Sequence, residues 1–455
     1  MHEVIIHIWP SYCDKRMDVI MLTLDATEQK IIEIIDENRE KIVEFARDIY
    51  THGELGYKEF TTAEKFNDFM KQLQLSVEEG LAITGAKAYL NEEKKENISL
   101  ALIGELDALR IPEHKYANKE TQAAHSCGHH AQLAGVIGAA IALTHPQVKE
   151  KLDGQVIFFS TPAEEYGEIE FKNQLRAEGK IKYGGGKCEL IRQGAFDDID
   201  VSIAHHIGPN DILVGGITGN GFVAKVIRYL GKAAHAAACP EKGINALNAA
   251  SLGLSALAYQ RETFRDEDAV RIHPIITKGG NLVNVVPDEV VLETLVRGKN
   301  KDAILDASEK TDRAFQAGAY AIGAKCEITT LPGYLPTLFS EIYPELARAA
   351  QTVAGEYKVS EAKAGQHSGG STDIGDLQHL QPVIRFQTGG IKGGLHTIDF
   401  SMEDEELAYI VTAKIFALTA YALLRDGAAG AKGICNQFKP ILNKEQYLSY
   451  MDSFK

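Results

Sequence analysis

Four short apolar runs recur along the chain, and each is followed by polar residues. The runs cover residues 98–103, 155–160, 201–204 and 383–386. Apolar runs of this length, bounded by polar or turn-forming residues, predict buried β-strands. In open α/β sheets, ligands bind outside the carboxyl ends of the strands. We therefore expect the polar residues that follow the four runs to meet in one crevice.

The residues that follow the runs are suited to acid–base chemistry and metal binding. In chain order they are Glu105 and Asp107, Glu164 and Glu165, His205 and His206, and, after a glycine-rich turn, His396. Pro162 stands between the second run and its glutamates, which predicts that a central strand ends there.

A second kind of segment, His125-Ser126-Cys127-Gly128-His129-His130, directly precedes the apolar stretch 131–140. The stretch predicts a buried helix. A thiol near the N-terminus of a helix has a lowered pKa, and metal ligation lowers that pKa further. A thiolate, imidazoles and paired carboxylates are together typical ligands of a transition-metal site. The sequence thus predicts a metal-dependent amide hydrolase.

The pattern changes from residue 216. It predicts a strand at 222–230, a helix at 245–259, strands at 270–277 and 290–296, a helix at 303–321 and a strand at 326–330. This βαββαβ order is the split unit of a ferredoxin-like layer. We predict an α/β fold with four parts. They are an N-terminal extension (1–25), a catalytic domain in two pieces (26–215 and 336–455) with a mixed, mainly parallel sheet flanked by helices, and an inserted lid and dimerisation domain (216–335).

Composition agrees with a large enzyme and narrows its partners. The chain has 455 residues, of which 45% are hydrophobic, and two cores are expected at this length. A net charge of -15 disfavours nucleic acid as a partner. The six cysteines are scattered, which fits a reducing compartment, and the apolar stretches do not indicate a membrane span or a signal peptide. We therefore expect a cytoplasmic protein without a membrane partner. Residues 1–25 lack periodicity, and Met17 or Met21 is an alternative start.

Several short segments then carry a clear resemblance. They are 52–56, 105–109, 127–129, 162–165, 206–209, 231–236, 284–287, 370–373 and His396, in order between about residues 30 and 425. The chain resembles the dinuclear-metal aminoacylase and carboxypeptidase (zinc peptidase) family, in the amidohydrolase branch with hippurate, indole-acetyl-amino-acid and aminobenzoyl-glutamate hydrolases.

The resemblance implies roles for individual residues. Two divalent metal ions would be held by Cys127, His129, Glu165, His206 and His396, with the Cys127 thiolate bridging them. Glu164 would be the general base. The donor set is compatible with Zn, Mn, Co or Ni. Neighbours on a strand point to opposite faces, and His206 is preferred over His205 because it stands three residues before a proline, as the family's histidine does.

Further roles implied by the family lie outside the ligand set. His235 would reach across a dimer interface to stabilise the tetrahedral oxyanion, so a homodimer or higher homo-oligomer is expected. Asn284 and Arg297 would hold the carboxylate of the substrate. Asp107 would orient a ligand histidine without binding metal itself.

The chain also departs from the family pattern. His130 stands where the family commonly has Asp or Asn, and Glu105 stands where it commonly has Asp. The largest departure is an insertion at residues 166–183, after Glu165. Long loops beside active sites often act as lids, so we expect this insertion to shape substrate choice.

The sequence therefore predicts metal-dependent hydrolysis of an amide bond in an N-acyl amino acid, a dipeptide or an aminobenzoyl-glutamate-like small molecule. Two alternatives stay open. A cysteine-nucleophile hydrolase would use Cys127 with His129, but residues two apart rarely form such a pair. A catalytically silent binding relative is the other alternative.

Overall fold

The computed structural model describes residues 23–454. The predicted N-terminal extension lies outside these residues except for its last three, and Asp25 caps the first helix. The helices are α1 Ala26–Glu37, α2 Arg39–Thr51, α3 Phe60–Gln72, α4 His129–Thr144, α5 Pro146–Lys149, α6 Ile169–Ala177, α7 Gly186–Gln193, α8 Ala246–Tyr259, α9 Lys301–Ile322, α10 Pro344–Val353, α11 Ile374–Gln378, α12 Thr412–Leu424, α13 Ala429–Gln437 and α14 Lys444–Met451. The strands are β1 Ser76–Leu81, β2 Gly85–Leu90, β3 Ser99–Glu105, β4 Leu109–Arg110, β5 Ala123–Ala124, β6 Gln155–Thr161, β7 Val201–Ile207, β8 Ile212–Val214, β9 Thr218–Gly219, β10 Gly221–Leu230, β11 Arg271–Ile272, β12 Ile275–Lys278, β13 Glu289–Gly298, β14 Lys325–Pro332, β15 Val359–Glu361, β16 His367–Ser368, β17 Val383–Thr388, β18 Ile391–Lys392 and β19 Ser401–Met402.

An eight-stranded sheet forms the centre of the molecule, in the order β1-β2-β6-β3-β7-β17-β8-β15. The four central strands, β6, β3, β7 and β17, run parallel. They contain the four apolar runs of the sequence. The prediction of an α/β fold with a mixed, mainly parallel sheet is confirmed, and the carboxyl ends of the four strands lie along one edge.

Strand β3 is buried on both faces, as parallel strands usually are. Leu100 and Leu102 pack into the core that holds residues of α4 and α12. Ala101 and Ile103 pack into the core that holds residues of α6 and α7. The alternation of side chains along the strand thus assigns one helical layer to each face of the sheet.

Helix α4 is buried along nearly its whole length. Two glycines let it approach α12 closely, because a Cβ on Gly135 would lie 2.6 Å from Thr412 and one on Gly138 would lie 2.5 Å from Ala413. The segment Glu406–Leu424 is long and apolar enough to cross a membrane, but it is almost entirely buried as part of this core. The packing of α4 fixes its N-terminus, which carries His129, next to the carboxyl ends of the strands.

Residues 218–332 contain a second, antiparallel sheet in the order β11-β13-β10-β14, with β12 also paired to β13. Helices α8 and α9 share an apolar core with this sheet. The predicted strand at 270–277 is two short strands, because Pro274 between them cannot donate a hydrogen bond to the sheet. The other predicted strands and helices of the region occur within a few residues of the expected bounds.

Two connections join this region to the central sheet, and they are hydrogen-bonded to each other. Gly216 and Ser340 exchange backbone hydrogen bonds, and Phe222 and Tyr334 do the same at 2.9 and 3.1 Å. Gly219 donates to the carbonyl of Thr337. The outgoing and returning segments therefore form one two-stranded ribbon.

The insertion at residues 166–183 is not a long open loop. It contains α6, and Tyr166, Leu175 and Tyr183 are buried in the core. The Tyr166 hydroxyl donates to the carbonyl of Pro332 at 2.8 Å, so the insertion contacts the end of β14.

Candidate metal centre and active site

A cavity of about 710 Å³ lies at the carboxyl ends of the central strands. One side is formed by residues that follow or end those strands, including Glu105, Glu164 and His206. The other side is formed by residues of the second sheet, including Phe222 and Arg297. The crevice expected from the four strand ends is therefore present.

Two groups of potential metal ligands share the Sγ atom of Cys127. The first group is Cys127, His129 and His206, and the second is Cys127, Glu165 and His396. Within each group all the ligand atoms lie within 4.8 Å of one another. The Nε2 atom of His206, in the first group, lies 3.4 Å from the sulfur, and that of His396, in the second group, lies 3.2 Å from it. We call the five residues together the cluster, and each group is one branch of it.

This donor set fits two divalent metal ions. His129 Nε2 and Glu165 Oε1 are buried and form no hydrogen bond of good geometry among residues 23–454, although each lies 3.1 Å from an oppositely charged neighbour, Glu105 and His396 respectively. Burial and Glu165 raise the pKa of the Cys127 thiol well above its usual range, and a bound divalent ion would deprotonate it. Buried polar atoms without partners are rare, so their concentration at one point indicates a ligand.

A left-handed glycine sets the positions of Cys127 and His129. Gly128 has φ 88°, and a Cβ at this residue would lie 2.2 Å from a side-chain carbon of Ile207. Only glycine fits both the backbone angle and the contact. His129 then begins α4, and its Nδ1 donates to the carbonyl of Asp107 at 2.8 Å. This leaves Nε2 facing the cluster.

Asp107 also contacts the second branch of the cluster. Its Oδ2 accepts a hydrogen bond from the backbone N–H of Glu165 at 2.9 Å, and its Oδ1 lies 3.3 Å from His129 Nδ1. The aspartate is fully buried. It therefore lies behind two of the candidate ligands and outside both ligand groups.

The two histidines of β7 face opposite sides of the sheet. His206 donates from Nδ1 to the carbonyl of Ile207 at 2.7 Å, which leaves Nε2 for the cluster. His205 is 2.8 Å from the Thr388 hydroxyl and packs against Phe386. The strand thus brings His206 to the cavity and places His205 against the core.

His396 reaches the cluster from a strained turn. Its φ is 62°, an uncommon value for a residue other than glycine, and its backbone N–H donates to the carbonyl of Ser126 at 2.8 Å. Its Nε2 lies 3.1 Å from Glu165 Oε1, and half of its side chain is exposed. Among the five candidate ligands it is the one most open to solvent.

Glu164 lies beside the cluster and outside both ligand groups that contain Cys127. Its Oε2 is 3.9 Å from His129 Nε2, and its carbonyl accepts a hydrogen bond from the Tyr334 hydroxyl. Burial, together with the charges of Glu105 and Glu165, raises the pKa of Glu164 well above its usual range. A raised pKa makes this carboxylate a stronger proton acceptor than an ordinary glutamate.

The strand ends that carry the candidate ligands and Glu164 form the floor of the cavity. A buried ion-pair network lies beneath this floor, and it was not predicted from the sequence. Lys187 is fully buried and donates to Glu105 at 2.6 Å and to Asp373 at 2.7 Å. Glu105 also accepts from Gln132 at 2.7 Å and lies 3.1 Å from His129 Nε2. Burial alone would raise the pKa of Glu105, but Lys187 and His129 hold that pKa at about 2.

A signal for Lys187 was present in the sequence. The lysine follows three glycines, and a Cβ on Gly186 would overlap the carbonyl of Pro162. The glycines thus let the start of α7 approach the strand end that carries Glu164. A lysine directly after such a segment is placed to enter the cavity floor.

Three site residues were predicted in the inserted region, namely His235, Asn284 and Arg297, and the structure places Arg297 apart from the other two. Arg297 lines the cavity and donates to the Ser371 hydroxyl at 2.8 Å. His235 and Asn284 are exposed, outside the cavity lining, and adjacent to each other through a backbone hydrogen bond from Ala236 to Asn284. The structure therefore brings only Arg297 to the cluster of the same chain.

The sequence matches a known protein family over most of its length. Residues 101–421 match the family model described as peptidase family M20/M25/M40. The chain belongs to this family. The resemblance expected from the sequence motifs is confirmed, and the chain is a hydrolytic enzyme.

Relatives of the M20 family match much of the chain. It is 26% identical to the Xaa-Arg dipeptidase of Mus musculus over 449 residues, which cover 94% of this chain and 95% of the relative. It is also 26% identical to the N-acetylcysteine deacetylase of Bacillus subtilis, over 84% of this chain and 97% of the relative. The fold is similar to that of the YXEP protein of Bacillus subtilis, a dinuclear metal-binding peptidase of the M20 family, with a TM-score of 0.58 and 24% identity over 86% of this chain and 99% of that one.

M20 membership and the donor set together support a site for two divalent metal ions. They also support amidohydrolase, dipeptidase or aminoacylase activity on a small molecule.

Proposed function

We propose that this M20 enzyme hydrolyses the amide bond of an N-acyl amino acid, a dipeptide or an aminobenzoyl-glutamate-like compound, with two divalent ions. The observation that carries the proposal is the shared sulfur of Cys127. One ion would be held by Cys127, His129 and His206, and the other by Cys127, Glu165 and His396. Zn, Mn, Co and Ni are all compatible with these ligands.

The residues of the floor divide the work of hydrolysis. Two divalent ions held by these residues would polarise the amide carbonyl and lower the pKa of the attacking water. Glu164 accepts the proton of the attacking water and passes it to the leaving nitrogen. Its raised pKa supports this role, because a carboxylate with a raised pKa is a stronger proton acceptor. Asp107 orients His129 through the ring nitrogen that faces away from the ions.

We propose that residues 216–335 form a ferredoxin-like lid and dimerisation domain that delivers His235 to a partner subunit. Nδ1 of His235 accepts hydrogen bonds from the N–H groups of Ala237 and Ala238, so Nε2 carries the proton. An exposed N–H donor of this kind suits an oxyanion. Eight exposed apolar side chains of the same domain support an interface; they are Leu252, Tyr259, Ile275, Ile276, Leu282, Val283, Leu305 and Tyr320.

The carboxylate of the substrate would be held by Arg297 from the enzyme's own lid and by Asn284, which stands beside His235. Arg297 offers a planar fork with one nitrogen fixed by Ser371. The insertion would influence substrate choice through Tyr166, which lines the cavity, and Lys172, which donates to the carbonyl of Glu165 at 2.7 Å. We also propose that the enzyme is a cytoplasmic homodimer or higher homo-oligomer without nucleic-acid or membrane partners.

The alternative with a cysteine nucleophile has less support. The raised pKa of Cys127 leaves little thiolate without a metal, and the mechanism gives His396 and Glu164 no task. A silent binding protein would have no need for Glu164 in addition to five ligands.

Metal analysis of the purified protein and a screen of N-acyl amino acids, dipeptides and aminobenzoyl-glutamate test the proposal. We expect two divalent ions per chain, loss of hydrolysis after chelation and recovery after metal is added back. Hydrolysis that survives complete removal of metal would favour the cysteine mechanism. No hydrolysis of any compound by the metal-loaded enzyme would reject the proposed function.

A further inference from the structure

Arg385 is a second guanidinium in the cavity, on the side of the central sheet. It lies on β17, opposite Ala204 of β7, and Gln387 lies opposite His206. Residues two apart on a strand share a face, so Arg385 is on the face of the sheet that carries His206. Both Arg385 and Arg297 line the cavity.

The guanidinium of Arg385 has a defined position but few hydrogen-bond partners. Nη1 donates to the carbonyl of Ile217 at 3.2 Å, and this is its one hydrogen bond within residues 23–454. A Cβ on Gly216 would lie 2.8 Å from the same nitrogen, so the glycine provides the room in which the guanidinium lies. The other nitrogens of Arg385 are not sealed from the cavity.

No carboxylate of the described chain neutralises this charge. Ion pairs within 4.0 Å form at neither Arg385 nor Arg297 in residues 23–454. Glu105 is the acidic residue that influences Arg385, but its oxygens are already bound by Lys187 and Gln132. Burial lowers the pKa of Arg385 to about 10, and Glu105 offsets this effect only in part. The side chain therefore stays positively charged at neutral pH.

A partly buried charge without a protein partner is costly, and such a charge inside a cavity indicates a ligand of opposite sign. Arginine is suited to a carboxylate because its fork makes two parallel hydrogen bonds. Arg297 already accounts for one carboxylate of the substrate in the proposed function. Arg385 remains available to bind another carboxylate.

We propose that Arg385 binds a second carboxylate, so that the preferred substrates are amides with two carboxylate groups. The inference rests on the proposed function and specifies its substrate class. The second carboxylate belongs either to the side chain of the released amino acid, as in N-acetylglutamate, or to the acyl group, as in an N-succinyl amino acid. Amides with a cationic side chain are poor substrates, because they bring a like charge towards Arg385.

Matched pairs of substrates test this preference in the metal-loaded enzyme. N-acetylglutamate is compared with N-acetylglutamine, and N-succinylalanine with N-butyrylalanine, through the ratio of kcat/KM within each pair. We expect one pair to favour the dicarboxylate by about ten- to a hundredfold, the range for a hydrogen-bonded charge. The pair that shows the effect identifies where the second carboxylate is located.

Variants then assign the preference to Arg385. Arg385→Gln should remove most of the ratio, and Arg385→Lys should keep part of it, because lysine retains the charge but loses the fork. Arg228→Gln is the matched control, since this arginine of β10 is paired with Glu289 outside the cavity. Its ratio should equal that of the unaltered enzyme.

The outcomes separate the two proposals. Hydrolysis without a dicarboxylate preference in either pair overturns this inference and leaves the proposed function intact. A preference that survives both Arg385 variants also overturns it. If Arg385→Gln does not fold, the substrate ratios of the unaltered enzyme and of Arg385→Lys still decide. Failure to hydrolyse any amide overturns the proposed function and this inference with it.

Discussion

The floor of the cavity, at the strand ends of the central sheet, and the opposite side, formed by the second sheet, are built in different ways. On the floor, Cys127, His129 and Glu165 are held by buried strand ends, a glycine turn and hydrogen bonds from Asp107. On the side of the second sheet, Arg297 is fixed by one hydrogen bond to Ser371, and His235 is exposed outside the cavity. All five candidate metal ligands therefore come from one chain, whereas the second sheet of the same chain brings only Arg297 to the cavity. Experiments can therefore perturb one side and leave the other unchanged.

Glu164→Gln should have the largest effect and should separate catalysis from metal binding on the floor. Loss of the general base is expected to lower kcat/KM by about 10²- to 10⁴-fold while two ions remain bound. Steady-state kinetics and metal analysis check both parts. Glu178→Gln, at an exposed position of the insertion, is the control and should be neutral. A variant that loses its metal as well would assign Glu164 to the ligands.

His235→Ala tests the proposed action of His235 across a subunit interface. Loss of an oxyanion donor is expected to lower kcat/KM by about 10²- to 10³-fold, with the metal content unchanged. The decisive measurement mixes this variant with Glu164→Gln under conditions that exchange subunits. If His235 acts across the interface, each mixed dimer contains one intact site and activity returns. No recovery in verified mixed dimers would place the action of His235 within its own chain.

Lys187→Met tests how far the floor depends on its buried ion pairs. The change leaves Glu105 and Asp373 without their cation, and breaking a buried pair costs about 3–5 kcal/mol of unfolding free energy. Denaturant unfolding of the metal-free protein measures this cost. Lys182→Met removes an exposed pair with Asp452 and should cost at most about 1 kcal/mol. Equal effects of the two changes would contradict the special role of the network.

Glu59→Gln gives the smallest expected effect and concerns the pH response of the floor. Burial and the charge of Asp107 raise the pKa of Glu59 to about 7, while its oxygens accept hydrogen bonds from Thr84 and from the N–H of Ala163. Because the pKa in the folded state is above that of the unfolded chain, its contribution to stability is complete below pH 4.5 and is lost as the pH rises towards 7.

Unfolding free energies measured between pH 4.5 and 8 should therefore fall by about 1–3 kcal/mol more in the unaltered protein than in Glu59→Gln. Glu64→Gln, which changes an exposed carboxylate of α3, should keep the original slope. A slope that does not change in Glu59→Gln would show that another group controls the response.

Local patterns in the sequence were sufficient to predict most of the floor. The run 201–204 lies inside β7, which continues through His205 and His206 because both still pair with β17. The positions of Cys127 and His129 before a buried helix followed from the apolar stretch behind them. These features depend on neighbours along the chain, and alternation along a strand also separates His205 from His206.

Features that depend on distant pairs could not be predicted in this way. Lys187 contacts Glu105 and Asp373, which are 82 and 186 positions away, and no local pattern connects them. The order of the eight strands in the central sheet likewise depends on pairs of residues that are distant in the sequence. The insertion was expected to be a loop, but three buried tyrosine and leucine side chains and α6 anchor it to the core. Arg385 is the one charged residue of β17, and its lack of an ion-pair partner emerges only from the complete set of contacts.

The two-stranded ribbon formed by residues 216–222 and 334–340 is a hydrogen-bonded connection between the central sheet and the second sheet. Because Gly216 and Phe222 are hydrogen-bonded to Ser340 and Tyr334, one connection cannot slide along the other without breaking these bonds. Bending across the ribbon preserves them. A movement of the second sheet relative to the central sheet that keeps these bonds would therefore have to bend the ribbon, and Arg297 would move with the second sheet.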